Sequence, residues 1–241
     1  MNSMSRLFLR AFVATLALSS WAQQPVPPQP PERVIINFIL PITADSVNLL
    51  LSVVNAQVRN GAKKITIALS SVGGDPASAF AAYNILRNVN AEITTFNVGN
   101  VDSAALLIYC AGKHRYSLPG PTRFLIHGTS LNPLTTSVPV ESRWIESQLA
   151  QLRSLDQVIV QTIAANCTKK PAEIEEAVHG QTILSPQEAK EWGIVEEIRN
   201  SFMEPGAVFV SVNTPPQQQD KGKSYQYTAD SPPITSRSTK K

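Results

Sequence analysis

A serine at the junction between a predicted strand and a predicted helix is the residue of this chain best placed for nucleophilic chemistry. Residues 97–107 begin as an extended run, break at a turn and continue as an apolar helix, with Ser103 at the junction. A hydroxyl in that position lies beside unpaired N–H groups of the helix start, which can hold the oxyanion that forms during acyl transfer. The same pattern also fits an ordinary serine that caps a helix.

Two further motifs on either side of Ser103 favour the catalytic interpretation. Residues 70–74 read Ser-Ser-Val-Gly-Gly, and residues 124–127 read Phe-Leu-Ile-His. A serine hydroxyl is a weak nucleophile until a positioned imidazole takes its proton, and His127 can serve as that base. On its own, the diglycine fits a tight turn before a helix, and the histidine fits a hydrogen-bonded side chain at a strand end. Together the three motifs predict a site for acyl transfer.

Predicted strands that alternate with predicted helices carry these motifs. The strands cover residues 34–40, 65–69, 93–98 and 122–126, and the helices begin at Asp45, at Asp75-Pro76 and at Ser103. Such alternation implies βαβ crossovers and a mostly parallel sheet. The diglycine, Ser103 and His127 each follow a strand. We therefore expect them at the carboxyl edge of the sheet, where open α/β sheets bind their ligands.

Downstream of these motifs the sequence predicts a long helix and a short closing unit. The long helix covers residues 140–166, and its apolar residues span more than one helical face, so we expect it to associate with other copies of the chain. A capping box at residues 185–188 opens a short helix, which Gly193 ends before a strand at 194–198. Residues 206–212 are a candidate for one more strand.

The two ends of the chain have the composition of processing and linker segments. Residues 1–22 contain two arginines, a short apolar run and a small-residue cleavage site. They predict an export signal peptide and a periplasmic or secreted protein with no stable membrane anchor after cleavage. Residues 23–32 form a proline-rich spacer. The globular domain is predicted at residues 33–203, and a disordered tail at 204–241.

Composition and charge argue against several classes of function. Removal of residues 1–22 takes away two arginines and lowers the formal net charge from +3 to +1. No basic stripe is interleaved with aromatic residues, so nucleic-acid binding is not expected. No Cys/His cluster has zinc-ligand spacing and no phosphate-binding loop is present, so we expect no metal and no cofactor. Cys110 and Cys167 lie in apolar helical stretches, where buried thiols are commoner than a disulfide, and their redox state stays open.

Four short segments occur in a specific order and spacing. They are Ser-Val-Gly-Gly at 71–74, Gly99-x-x-x-Ser103-Ala104, Phe-Leu-Ile-His at 124–127 and Leu-Ser-Pro-Gln-Glu-Ala-Lys-Glu-Trp-Gly-Ile-Val at 184–195. In this order they resemble the proteolytic subunit of the Clp protease and, more broadly, the Clp/crotonase fold superfamily, over residues 34–200. The resemblance implies βαβ repeats with a protruding long helix, assembled as a homo-oligomer of stacked rings. It also implies Ser103 as nucleophile, His127 as general base, and the N–H groups of Gly74 and Ala104 as the oxyanion hole.

One position departs from the pattern of this family in a way that matters for catalysis. The family's orienting aspartate lies just before the segment that starts at Leu184, and the equivalent position here is Gln181. A glutamine can accept a hydrogen bond from the imidazole and hold its tautomer, but it stabilises the imidazolium far less than a carboxylate does. The resemblance therefore makes Gln181 the third catalytic residue. The acids Asp156, Glu175 and Glu176 are candidates to substitute for it, but the sequence does not place them.

The sequence predicts an exported serine endopeptidase that hydrolyses peptides or unfolded proteins through an acyl-enzyme on Ser103, without ATP or metal. Gln181 favours an alternative, a catalytically weak or inactive protein whose site binds peptides or a partner subunit. A serine–lysine dyad is disfavoured because no lysine occurs between Lys113 and Lys169. An acyl-CoA enzyme of the crotonase type shares the fold, but an exported protein does not meet that cytoplasmic cofactor.

Overall fold

A computed structural model describes residues 32–131 and 140–212 of the chain, and they form eight strands and six helices. The strands are β1 (Arg33–Phe38), β2 (Lys64–Ser71), β3 (Glu92–Asp102), β4 (His114–Ser117), β5 (Arg123–Ile126), β6 (Thr182–Leu184), β7 (Glu197–Ile198) and β8 (Val208–Ser211). The helices are α1 (Ala44–Arg59), α2 (Pro76–Leu86), α3 (Ala105–Cys110), α4 (Ser142–Ala164), α5 (Pro171–Gly180) and α6 (Pro186–Glu191). The predicted signal peptide, residues 23–31 of the spacer and the tail beyond residue 212 lie outside the described residues.

The strands form one mostly parallel sheet. Its order is β6-β5-β3-β2-β1-β8, and β4 joins β3 to β7 beside this path. All pairings are parallel except that of β5 with β6, which is antiparallel. The prediction of an α/β fold with a mostly parallel sheet is therefore confirmed.

The central strands are apolar because both of their faces are covered. Val34, Ile36 and Phe38 of β1 are almost fully buried, as are Ile65 and Ile67 of β2. A strand buried on both faces is expected to be a nearly continuous hydrophobic run, as in other parallel sheets. Helix α3 is buried along its whole length and packs against β3, so the helix that follows Ser103 has a fixed position.

An irregularity in β3 directs its end towards β5. The first part of β3 pairs with β4, whereas residues 100–102 pair with β5. The register with β2 shifts between Leu69 and Ser71, and the Ser70 hydroxyl at this shift accepts a hydrogen bond from the Asn100 N–H at 3.2 Å. Buried Asn97 of β3 helps to hold the two strands together, because its Nδ2 donates to the carbonyl of Arg123 at the start of β5 at 3.0 Å. The end of β3 consequently lies beside the end of β5.

Helix α4 has 23 residues and lies within the range that the sequence predicts, two residues shorter at each end, and most of it is exposed. From residue 141 to residue 150 every residue is exposed except the half-buried Gln148. Burial is confined to the second half, where Ile159, Val160 and Ile163 reach the core. No helix in the described part of the chain combines the length and the apolar character that crossing a membrane requires.

Several sequence-based assignments need correction. Thr43, and not Asp45, is the N-cap of α1, because its hydroxyl forms a capping box with Ser46. The predicted disordered tail begins too early, since the candidate strand at 206–212 is present as β8, which pairs with the outer edge of β1, and Val212 is buried. An unpaired edge of a parallel strand offers N–H and C=O groups that such a segment can satisfy. The sequence does not predict β4, α5 or β6.

Candidate active site

Ser103 lies in a strained turn between β3 and α3. Its φ is 57°, in the left-handed region, and its N–H donates to the Leu125 carbonyl of β5 at 2.8 Å. Left-handed conformation costs a residue other than glycine about 1–2 kcal/mol and is found preferentially at functional sites. The N-cap position of α3 is occupied by Ala104, and no side chain caps this helix. Helix capping therefore does not explain Ser103, and its role as a nucleophile stays a prediction.

The diglycine turn after β2 contacts the serine turn directly. Gly73 and Gly74 have φ values of 85° and 146°. A Cβ atom on Gly73 would lie 2.6 Å from the Ser103 Cβ, and one on Gly74 would overlap the Ile42 carbonyl oxygen. The turn is fixed in place because the Ile42 N–H donates to the Gly73 carbonyl and the Asp75 N–H donates to the Ile42 carbonyl, both at 2.8 Å. Only glycine fits this approach.

The two N–H groups that the sequence assigns to an oxyanion hole lie at this contact. Gly74 and Ala104 both line the groove that contains Ser103. Within residues 32–131 and 140–212, neither N–H has a hydrogen-bond acceptor. Unpaired N–H groups beside a nucleophile are the donors that a developing oxyanion needs. Their role in oxyanion binding stays a prediction.

We expect Gly74→Ala to lower kcat by about a hundredfold or more, because the added methyl group would overlap the Ile42 carbonyl oxygen and must shift the diglycine turn, and one oxyanion donor with it. Peptide turnover and thermal unfolding of the variant measure the effect. Gly120→Ala is the matched control, since a Cβ there would have no neighbour within 4 Å. A Gly74→Ala protein that retains the kcat of the wild type would contradict the assignment.

His127 directly follows β5 and has a defined tautomer. The half-buried ring lies with Nδ1 2.6 Å from the carbonyl oxygen of Gly128. A carbonyl oxygen can only accept a hydrogen bond, so Nδ1 must carry the proton in this contact. In the neutral ring Nε2 is then unprotonated. This is the protonation state that a general base for serine needs.

Ser103 and His127 line the same groove, which has a volume of about 250 Å³. Helix α4 also lines this groove, with Gln148, Gln151, Leu152 and Leu155. No hydrogen bond joins the Ser103 hydroxyl to the His127 ring within the described residues. In sites without substrate such bonds are often long, and they tighten when substrate binds. The groove is open and offers both amide and apolar contacts to a ligand.

Gln181 lies near His127 but does not contact it through a hydrogen bond. It ends α5 in a left-handed conformation, with a φ of 52°, and it is exposed. The antiparallel pairing of Ile126 with Thr182 places the next pair of positions, His127 and Gln181, at the end of the same ladder. No hydrogen bond between these two side chains occurs in the described part of the molecule. The role of Gln181 as the third residue stays a prediction.

The candidate substitutes for that acid have different surroundings. Glu175 and Glu176 lie on α5 and are exposed. Asp156 lies on α4 and accepts two hydrogen bonds from Thr129, which is two residues beyond His127. Of these three carboxylates, only that of Asp156 is hydrogen-bonded to the loop that follows the histidine.

Asp102, directly before Ser103 in the chain, is a buried carboxylate. It is 2% exposed, and its Oδ2 accepts from Nη2 of Arg123 at 2.8 Å. This bond raises the pKa of the Arg123 guanidinium. Within the described residues Asp102 Oδ1 has no partner. Since the pair joins the end of β3 to the start of β5, it helps to hold the strands that carry Ser103 and His127.

The two thiols do not compete with Ser103 as nucleophiles. Both Cys110 and Cys167 are free, and burial raises the pKa of Cys110 to about 12. Burial also raises the pKa of the half-buried Cys167. Thiols held protonated in this way are poor nucleophiles at neutral pH. Nowhere in residues 32–131 and 140–212 do three or more metal-binding side chains gather.

The fold is mixed α/β with a mostly parallel sheet, and the candidate site contains a serine and a histidine at the carboxyl edge of this sheet. The family model for Clp protease matches residues 32–201. This chain belongs to the Clp protease family.

Individual relatives are distant. The chain is 32% identical to the ATP-dependent Clp protease proteolytic subunit 1 of Rhodococcus jostii over 56% of this chain and 60% of that protein. It is 27% identical to proteolytic subunit 3 of Nocardia farcinica, over 69% of this chain and 75% of that protein. Identity to proteolytic subunit 1 of Mycolicibacterium paratuberculosis is also 27%, over 69% and 78% of the two chains.

Proposed function

We propose that this protein is a serine endopeptidase that cleaves peptides or unfolded proteins through an acyl-enzyme, without ATP or metal. The observation that carries the proposal is the groove shared by a strained, left-handed Ser103 and by His127, whose Nδ1 faces a carbonyl oxygen. This contact leaves Nε2 as the acceptor for the serine proton. Membership of the Clp protease family supports a peptidase activity.

The proposed reaction uses these groups in order. The Ser103 oxygen attacks the peptide carbonyl carbon while its proton passes to His127 Nε2, and the N–H groups of Gly74 and Ala104 hold the oxyanion. The protonated ring then gives the proton to the departing amine, and an ester on Ser103 remains. A water molecule attacks this ester and gives a proton to Nε2, which returns it to Ser103 as the acid product leaves.

The predicted leader at residues 1–22 supports a location in the periplasm or outside the cell. In that location a peptidase encounters exported peptides and unfolded proteins. The N-terminal arginines and the small residues at the cleavage site carry this part of the proposal.

A second candidate is a weak or inactive member of the family that binds peptides or a partner subunit. It is favoured by the surroundings of His127, since no described carboxylate contacts its ring and glutamine occupies position 181. Loss of a directly bonded acid costs a serine protease about ten-thousandfold in turnover.

Turnover of a fluorogenic peptide mixture by the purified protein separates the two functions. The assay contains a chelator and no nucleotide, and a parallel sample is treated with a fluorophosphonate. A peptidase hydrolyses the peptides, and the reagent stops it. Binding of the same peptides without hydrolysis would instead support the second candidate.

We further propose that α4 joins copies of the chain into a homo-oligomer. Its exposed apolar side chains include Trp144, Ile145 (53% exposed) and Leu149 (44% exposed). Exposed apolar residues grouped on one helix favour association. Leu152 and Leu155 of the same helix instead line the active-site groove, so their substitution would alter the site itself.

Ile145→Glu is expected to reduce the assembly to smaller species, because it would place a charge at a desolvated contact. Light scattering at micromolar concentration measures the mass of the wild type and the variant. Ile85→Glu is the matched control, since Ile85 is an exposed isoleucine on α2. A wild-type protein that is monomeric at this concentration would contradict the proposal.

A further inference from the structure

A carboxylate on α4 accepts hydrogen bonds from the loop that follows His127, and the carbonyl group that faces the His127 ring belongs to the same loop. Oδ1 of the half-buried Asp156 accepts from the Thr129 N–H at 2.7 Å and from the Thr129 hydroxyl at 2.8 Å. The same side chain lies against Gly128, where a Cβ atom would be 3.1 Å from Oδ2. Asp156 therefore contacts both residues that follow the histidine.

One peptide group connects this carboxylate to the imidazole. The carbonyl oxygen of the Gly128–Thr129 peptide faces His127 Nδ1 at 2.6 Å, and the N–H of the same peptide donates to Asp156 at 2.7 Å. The hydrogen-bonded chain therefore runs from the ring through a single planar peptide to a negative charge. A peptide whose N–H is bonded to an anion is polarised, so its carbonyl oxygen becomes a stronger acceptor.

We propose that Asp156 is the positioning residue for His127 and that it acts through the Gly128–Thr129 peptide. The inference rests on the proposed peptidase function and names the group that replaces the missing aspartate. The polarised carbonyl holds the Nδ1–H tautomer and the ring orientation. It also stabilises the imidazolium that forms when Nε2 takes the serine proton, because that charge is favoured by a stronger acceptor and by a nearby anion.

The other described acids near the site do not have this connection. Asp102 is paired with Arg123, while Glu175 is exposed on α5. Asp156 and Glu175 line a common cavity of about 480 Å³ beside the groove, together with Arg153 and His179. Glu175 is therefore a carboxylate in the same surroundings that lacks a hydrogen bond to the His127 loop, which makes it a suitable control.

Asp156→Asn isolates the charge from the shape, because asparagine is isosteric and its amide oxygen can still accept from Thr129. We expect kcat to fall by about tenfold to a hundredfold, which is less than the loss of a directly bonded acid, while KM stays within about twofold. Glu175→Gln should retain the wild-type kcat. Thr129→Val removes the hydroxyl contacts with Asp156 and with the Leu152 carbonyl but retains the peptide N–H that donates to Asp156, so it should cost less than Asp156→Asn.

Nuclear magnetic resonance of the ring nitrogens of His127 tests the relay independently of turnover. In the wild type we expect the neutral ring to carry its proton on Nδ1, with an Nδ1 proton resonance that moves upfield in Asp156→Asn and not in Glu175→Gln. A neutral ring protonated on Nε2 would overturn the relay, even if the asparagine variant were too unstable to assay. A purely structural role of Asp156 would leave this resonance unchanged.

The kinetic and spectroscopic results together distinguish two kinds of failure. If Asp156→Asn is as fast as the wild type while Gln181→Ala is slow, the relay is wrong and the role returns to position 181. If the wild type does not hydrolyse peptides but shows the Nδ1 proton and its dependence on Asp156, the relay stands and the peptidase proposal fails.

Discussion

Replacement of Ser103 by alanine is expected to abolish peptide hydrolysis, with kcat falling by about a millionfold to the background rate. The covalent intermediate requires the Ser103 oxygen, and alanine has no substitute for it. The variant should fold normally, with its free energy of unfolding within about 0.5 kcal/mol of the wild type, because no helix-capping bond of this side chain is lost.

Two further variants show whether the loss of peptide hydrolysis in Ser103→Ala comes from the missing hydroxyl and not from a change in folding. Ser154→Ala removes an exposed serine of α4 and should leave kcat unchanged. Ser103→Gly should be as inactive as Ser103→Ala. Its free energy of unfolding should be about 1 kcal/mol higher than that of Ser103→Ala, since glycine relieves the left-handed strain at φ 57°. Hydrolysis by purified Ser103→Ala at the wild-type rate would mean that the nucleophile lies elsewhere.

Replacement of His127 by glutamine has the second largest expected effect, a loss of about ten-thousandfold or more in kcat. Glutamine can fill much of the space of the ring, but it cannot take the serine proton at neutral pH. The initial rate of hydrolysis and the rate of reaction of Ser103 with a fluorophosphonate should both fall, because both need a deprotonated serine oxygen.

His114→Gln is the matched control for this experiment. His114 lies on β4, where its Nδ1 is 3.1 Å from a Glu196 carboxylate oxygen, and it does not line the groove. Its replacement should change neither rate. A His127→Gln protein that reacts with the fluorophosphonate as fast as the wild type would show that His127 is not the base.

The sequence predicts the parts of this site that depend on local geometry. A break between an apolar strand and an apolar helix locates Ser103, and two adjacent glycines after a strand locate the turn that approaches it. His127 is found in the same way, at the end of an apolar strand. These signals are local because each motif is formed by the junction of two consecutive elements.

Other features depend on contacts between distant residues, and the sequence does not show them. Asp156 and Thr129 are 27 positions apart, and only the packing of α4 against the loop brings them together. The pairing of Asp102 with Arg123 likewise depends on the register of β3 and β5. Strand β6 has three residues, too few for a periodic pattern, and it forms because the neighbouring β5 offers an edge.

The central claim, that Ser103 is an activated nucleophile, is tested most directly by the site of covalent modification with a fluorophosphonate. Intact mass and peptide mapping of the treated wild-type protein should show a single adduct, on Ser103. The adduct should be absent from Ser103→Ala and should form slowly in His127→Gln. A folded wild-type protein that forms no adduct, or an adduct that forms equally in Ser103→Ala, would contradict the claim.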